Sequence, residues 1–172
     1  TSTPDLRILP GAEYIAIGHP ALLQSLEPLL EVRNEQGLDT LSVPVEAIYD
    51  QFNGGMAEPE AIQTFLRYAV ENWEKPPEYV LLMGGTNYDY YGYQTPVEEY
   101  NLPTFLVQTV FGGETSSDVL IAQINDDDWP DLAIGRVPAL TVDQVEIFVK
   151  KTLEFEQRIT AADWNQSILA VA

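Results

Sequence analysis

Residues 79–89, YVLLMGGTNYD, decide how this chain folds. Tyr79 to Met83 is a continuous apolar run, too short for a helix. It suits a strand covered on both faces, as in the middle of a parallel sheet. Gly84 and Gly85 then break the strand into a turn, and a polar, aromatic loop follows. Residues 131–138, DLAIGRVP, give a shorter apolar strand that ends in Gly135-Arg136, behind the acidic run 125–128.

Working outward, strand and helix signals alternate. Residues 1–13 hold two prolines and a glycine and read as a linker or tail. Residues 14–18, YIAIG, form a strand. Pro20 opens a helix with Leu22, Leu23, Leu26, Leu29 and Leu30 on one face. Pro28 lies inside it and is expected to kink or split it, and Gly37 ends it. Residues 40–45 are a second strand, placed near an edge by Pro44. A short helical turn over 46–52 stops at Asn53-Gly54-Gly55. Pro59 then opens a stronger helix whose stripe is Ile62, Phe65, Leu66, Ala69, Val70 and Trp73.

After the 78–83 strand, residues 85–101 make a long loop. Residues 102–110 read as extended, and 115–124 fit a strand less clearly. Thr141 with Gln144 is a capping-box pattern, opening a helix with Val142, Val145, Phe148, Val149 and Leu153 inward. Residues 167–172 begin another strand. The fold expected is a three-layer α/β sandwich with a mostly parallel sheet, Rossmann- or flavodoxin-like. Ligands of such sheets sit beyond the carboxyl ends of the strands, here at Gly18-His19 and at Gly84, Gly85, Thr86 and Asn87.

Composition sets limits on function. The 172 residues suffice for one domain or subdomain with a real core. A net charge of −19 argues against nucleic acid and against anionic membrane surfaces, and favours cations such as calcium and basic partners. A solvated acidic surface that keeps the protein soluble is the plainer account of that charge. There is no cysteine, which excludes disulfides and thiolate metal sites. No apolar run approaches the ~18 residues of a membrane-spanning helix. The first residues, TSTPDLRILPGAE, carry no basic stretch followed by an apolar one, and the absence of an initial Met reads as a processed form or an excised piece.

Several chemistries drop out for want of residues. No G-x-G-x-x-G follows the first strand, no phosphate-binding G-x-x-x-x-G-K-S/T occurs, and no G-x-S-x-G nucleophile turn is present. A phosphorelay receiver would need acidic residues where this chain has His19 and Gly85. His19, the one histidine, is a candidate acid/base or ligand, but a helix-start residue bonding nearby backbone is the reading it favours. In the acidic run, Asn125, Asp127, Asp128 and Asp131 offer alternating oxygens that echo the start of a calcium loop. The sharp-turn glycine and the downstream glutamate of an EF-hand are missing, and an exposed acidic turn is the alternative. The aromatic cluster of residues 88–93, YDYYGY, suits a peptide groove or, more often, packing on a sheet edge.

Taken in order, the blocks YIAIGHPALL, YVLLMGG, TSSD (115–118), PDLAIGRVPALT, LEFEQ and WNQSILAVA resemble the first half of a gingipain-type cysteine peptidase domain. That resemblance implies a caspase-like half-domain: residues 14–163 as an N-terminal α/β subdomain and 164–172 as the first strand of a second subdomain. The catalytic His and Cys of the family belong to that second subdomain, so no catalytic residue carries over. The implied partners are the second subdomain and a peptide or protein substrate, with His19, Gly85, Thr86 and Asn87 on the groove rim. The resemblance also implies a secreted or cell-surface protein and a structural calcium, at Asn125, Asp127, Asp128 and Asp131. Gly85 stands where the family often carries Asp. A cysteine peptidase needs a thiolate and its base, so this chain alone is expected to be inactive. Two other classes fit the residues: a non-catalytic, acidic, calcium-stabilised surface module, and an independent flavodoxin-like domain for a small ligand.

Overall fold

The computed structural model describes residues 4–158, apart from 90, 95, 97, 98 and 126. The strand expected over 167–172, and the boundary expected at 163/164, lie outside the described residues. Strands β1 (Tyr14–Gly18), β2 (Thr40–Pro44) and β3 (Tyr79–Met83) alternate with helices α1 (Pro20–Glu35), α2 (Val45–Phe52) and α3 (Pro59–Asn72). The hairpin β4 (Phe105–Thr109) and β5 (Gly113–Ser117) and the single turn α4 (Val119–Ala122) interrupt the alternation. Strand β6 (Ala133–Val137) and helix α5 (Val142–Gln157) resume it.

The four alternating strands form one parallel sheet in the order β2-β1-β3-β6, and the hairpin is a separate two-stranded sheet. The registers pair Gly18 with Pro44, Gly18 with Met83, and Met83 with Val137. All four strands therefore end level. The chain moves outward from β1 to β2, then crosses to β3 on the other side, which makes the β1/β3 boundary the topological switch point.

Alternate side chains feed two cores. Ile15, Ile17, Val80 and Leu82 face α2, α3 and α4, while Ala16 and Met83 face α1 and α5. The fold is thus a three-layer α/β sandwich with a parallel central sheet. An ion pair clamps its second layer: Arg33 on α1 donates to both Glu156 oxygens on α5, at 2.9 and 2.6 Å.

Four local expectations change. Pro28 does not split α1, which runs unbroken. The proline lies on the exposed side, where the Gln24 carbonyl it leaves unbonded reaches water. Segments 102–110 and 115–124 do not join the main sheet. The first shortens to β4, and the second divides into the end of β5 and α4. Strand β5, GETSS, has no apolar side chain and is mostly exposed, as is β4, which suits a solvated hairpin and not a doubly covered strand. The turn over 46–52 is a complete helix. Finally, the expected linker is strapped down. Leu6, 1% exposed, enters the core, its N–H donates to Gln51 Oε1 (2.8 Å), and its carbonyl accepts from the Trp73 indole (3.0 Å).

Candidate functional site

The level strand ends leave a crevice beyond Gly18 and Met83. His19 enters it as the N-cap of α1. Its Nδ1 accepts the Ala21 N–H at 3.2 Å, and its ring lies 4.9 Å from that of Tyr100. The structure therefore gives His19 the backbone-bonding role that its sequence position favours, with one ring nitrogen occupied.

Across the crevice, Gly84 carries the chain out of β3 at φ +145°, a region that side chains rarely adopt. Gly85 follows, and its carbonyl accepts the Leu102 N–H at 2.8 Å. A Cβ at Gly85 would stand 2.6 Å from Leu140 Cδ2 and 3.1 Å from Asn101 Oδ1. Leu140 thus fills the space that an aspartate would need here.

Thr86 and Asn87 form a ridge between two hollows. One, of about 340 Å³, is lined by Gly85, Thr86, Asn87, Asn101, Pro138 and Leu140. The other, of about 240 Å³, lies between Thr86, Asn87 and Tyr88 and the hairpin residues Leu106 and Ser116. Among the described residues, none that lines either hollow is charged. His19 lines neither, so the four expected rim residues share the strand ends without sharing a hollow.

Below this ridge sits an ion pair that the sequence reading did not single out. Arg136, near the end of β6, has a side chain only 9% exposed. Its Nε and Nη2 donate to the two Asp118 carboxylate oxygens at 2.8 and 2.7 Å. Nη1 donates to the carbonyls of Gly84 (3.1 Å), Gly85 (3.3 Å) and Leu102 (3.2 Å), and Nη2 reaches Pro103 at 3.5 Å. The Thr104 hydroxyl donates to Asp118 at 2.7 Å. Burial pushes the Asp118 carboxyl up, but the hydrogen bonds and charge of Arg136, with the Thr104 hydroxyl, outweigh it and hold the group below its ordinary range. A signal was present: an arginine inside an apolar strand, in a chain with only eight Lys and Arg, must find a partner.

Tyr49 on α2 feels the same arginine. Its phenol is pushed up chiefly by burial, with Glu46 adding and Arg136 opposing. Its hydroxyl is buried with no partner among the described residues.

The acidic loop is braced by its own residues. Asp131 Oδ2 accepts the N–H groups of Ile124 (3.0 Å) and Asn125 (3.1 Å), and Asp131 Oδ1 accepts the Asn125 side-chain amide. Asp127 Oδ1 accepts the Trp129 N–H at 2.9 Å. Asp128 uses its carbonyl to hold the Gln123 side chain. Calcium takes roughly six to eight converging oxygens. No group of three or more acidic or imidazole side chains converges among the described residues, and Asp131 faces N–H donors. This donor set does not fit the ion as it stands.

The tyrosine loop differs from simple packing on a sheet edge. Tyr93 is exposed, its ring lies tilted at 41° with its centroid 5.5 Å from that of Tyr91, and Tyr91 donates to Glu58. Asp89 holds the loop by accepting from the N–H groups of Tyr93 and Gln94 at 2.8 and 2.6 Å. Among the described residues, no helix is long and apolar enough to cross a membrane.

Residues 8–172 match the family model of peptidase family C25. No curated protein matches. Among solved structures, the dimeric latent PorU of Porphyromonas gingivalis aligns with TM-score 0.74 and 23% identity, over 91% of this chain and 17% of that one. The Arg-specific cysteine proteinase gingipain R aligns with TM-score 0.64 and 21% identity, over 91% of this chain and 31% of that one. A third structure, described as a protease, gives 0.63 and 14%, over 92% and 31%. These likenesses establish the shared fold, and this chain spans less than a third of each of these three structures.

Proposed function

This chain belongs to peptidase family C25, and from that premise we propose that it is the first, non-catalytic subdomain of a gingipain-like cysteine endopeptidase. One observation carries the reading. A peptidase-family sheet ends in a crevice whose lone imidazole caps a helix, in a chain without a single thiol. The chemistry then belongs to a Cys–His dyad on a second subdomain. There the thiolate adds to the peptide carbonyl, backbone donors hold the oxyanion, and the imidazolium returns the proton to the departing amine. Water then releases the acyl group. This half supplies the scaffold and one wall of the groove. Its uncharged hollows around Thr86 and Asn87 suit neutral stretches of an extended peptide.

The sheet edges support a particular docking side. Pro44 closes the end of β2, where it denies an N–H to any added strand. Strand β6 has no proline, and among the described residues only β3 pairs with it. Ala133 donates to Glu78 and Val137 accepts from Gly84, so the alternate residues Ile134 and Arg136 turn their backbone toward the free edge. The second subdomain is proposed to cover that edge, in a protein that works in a secreted or cell-surface setting.

The test is a peptidase assay on the intact protein and on this chain, each with and without thiol alkylation. Cleavage by the intact protein alone, abolished by alkylation, is the expected result. Alkylation-resistant cleavage by the isolated chain would sink the proposal.

A further inference from the structure

We infer that Asp118 and Arg136 are positioning residues for the groove: the pair sets where the Gly85–Asn87 ridge stands relative to the β4–β5 hairpin. The inference rests on the peptidase reading for its functional half and on geometry alone for its structural half.

The ridge leaves the main sheet at the end of β3, and the hairpin is a separate sheet with no ladder to it. Among the described residues two kinds of tie join them. One is direct: the Leu102 N–H donates to the Gly85 carbonyl, and the hydroxyl of Tyr88, next to the ridge, donates to the Glu114 carbonyl on β5 at 3.2 Å. The other is Arg136, whose guanidinium bonds the turn after β3 (Gly84, Gly85), the lead-in to β4 (Leu102, Pro103) and the residue after β5 (Asp118). A planar fork with five donors can hold three segments at once, whereas the three rotatable donors of a lysine act from one point. Asp118 orients the fork. Its two oxygens fix the guanidinium plane, and Thr104 fixes Asp118 in turn. Ser116 and Leu106 on the hairpin face Thr86 and Asn87 across the smaller hollow. A change in the clasp therefore changes the width of that hollow, although neither Asp118 nor Arg136 lines it.

Three variants test this: Asp118→Asn, Arg136→Lys and Thr104→Val. Amide hydrogen exchange on the 172-residue chain is read at residues 84–88 and 102–106, against β1 and α3 as internal references. Steady-state kinetics are read on the intact protein. In Asp118→Asn, exchange at 84–88 should rise about tenfold, the value of one charge-assisted hydrogen bond, with β1 and α3 unchanged. KM should rise by about the same factor while kcat stays within about twofold, the pattern of lost binding geometry without lost chemistry. Arg136→Lys should behave alike. Thr104→Val leaves the ion pair whole and should give a smaller rise at 84–88; it decides the matter if the charge variants fail to fold.

Faster exchange spread evenly over the chain, with KM unchanged, would make the pair a general stabiliser and overturn the inference. An intact wild-type protein that cleaves nothing would reject the peptidase reading instead. The exchange pattern would still decide the clasp.

Discussion

Replacing Gly84 by alanine tests the crevice at its tightest point. Gly84 has φ +145°, and a methyl there would overlap the Tyr100 carbonyl oxygen and stand 2.8 Å from Leu102 Cδ1. Two costs add. Holding a side chain in a region nearly reserved for glycine costs about 1–3 kcal/mol. Forcing a backbone oxygen aside costs about 1–3 kcal/mol more, because a backbone atom cannot rotate away as a side-chain tip can. The sum is about 2–6 kcal/mol, and for a chain of this size each kcal/mol moves the melting temperature by about 2–4 °C. A fall of about 5–20 °C is expected. Gly37→Ala is the matched control: its φ is +95°, but no atom lies within 4 Å of the added methyl, so only the first cost applies. Both variants are compared by far-UV circular dichroism during thermal and urea unfolding of the 172-residue chain at pH 7. If Gly84→Ala loses no more than Gly37→Ala, the close approach of Tyr100 is not what fixes this turn.

Three more outcomes follow from the geometry. Tyr49→Phe removes a buried hydroxyl that has no partner among the described residues, so stability should hold or rise, by up to about 2 kcal/mol. A clear loss in urea unfolding would show that a bound water satisfies it. Arg33 holds the Glu156 carboxyl below its usual range, as Arg136 and Thr104 help to do for Asp118. Each lowered carboxyl adds stability that is complete above the unfolded value, roughly pH 4, and is lost as pH falls through the folded value. Melting temperature should therefore drop on acidification below about pH 4, and Glu156→Gln should flatten part of that fall; a wild-type midpoint that stays constant there would refute it. For the acidic loop, midpoints with saturating calcium and with chelator should agree, because an ion that binds only the folded state must raise the midpoint. An upward shift in calcium would show that Asp127 and Asp128 turn inward as ligands.

The sheet was legible because its signals are local. The run YVLLM, the strand-helix alternation and the proline helix starts are each dictated within a few residues. The strand ends that frame the switch point followed from the general rule for parallel sheets, whereas the strand order β2-β1-β3-β6 was not read from the sequence. What the sequence hid depends on distance. Asp118 and Arg136 stand 18 residues apart and meet only because the hairpin folds back over the strand ends. The acidic loop shows the limit of spacing. Alternating oxygens at Asn125, Asp127 and Asp131 suggest a shell for a cation, and only the fold gives direction: Asp131 accepts from backbone N–H groups. His19 was legible as a helix cap, since a residue ahead of Pro20 at a strand end is well placed to cap. The strap at Leu6 was obscured by its flanking prolines, which signal irregular backbone whether that backbone is loose or packed.

That strap has a consequence for proteolytic trimming. An exopeptidase working inward from the amino terminus meets Leu6 sealed in the interior, its N–H held by Gln51 and its carbonyl by the Trp73 indole. Loss of the exposed Pro4 and Asp5 takes away only surface bonds to Gln51 and Arg7, whereas loss of Leu6 would free the Trp73 indole and open the α2–α3 layer. The fold therefore carries its own stop mark for processing, eight residues ahead of the first strand of the sheet.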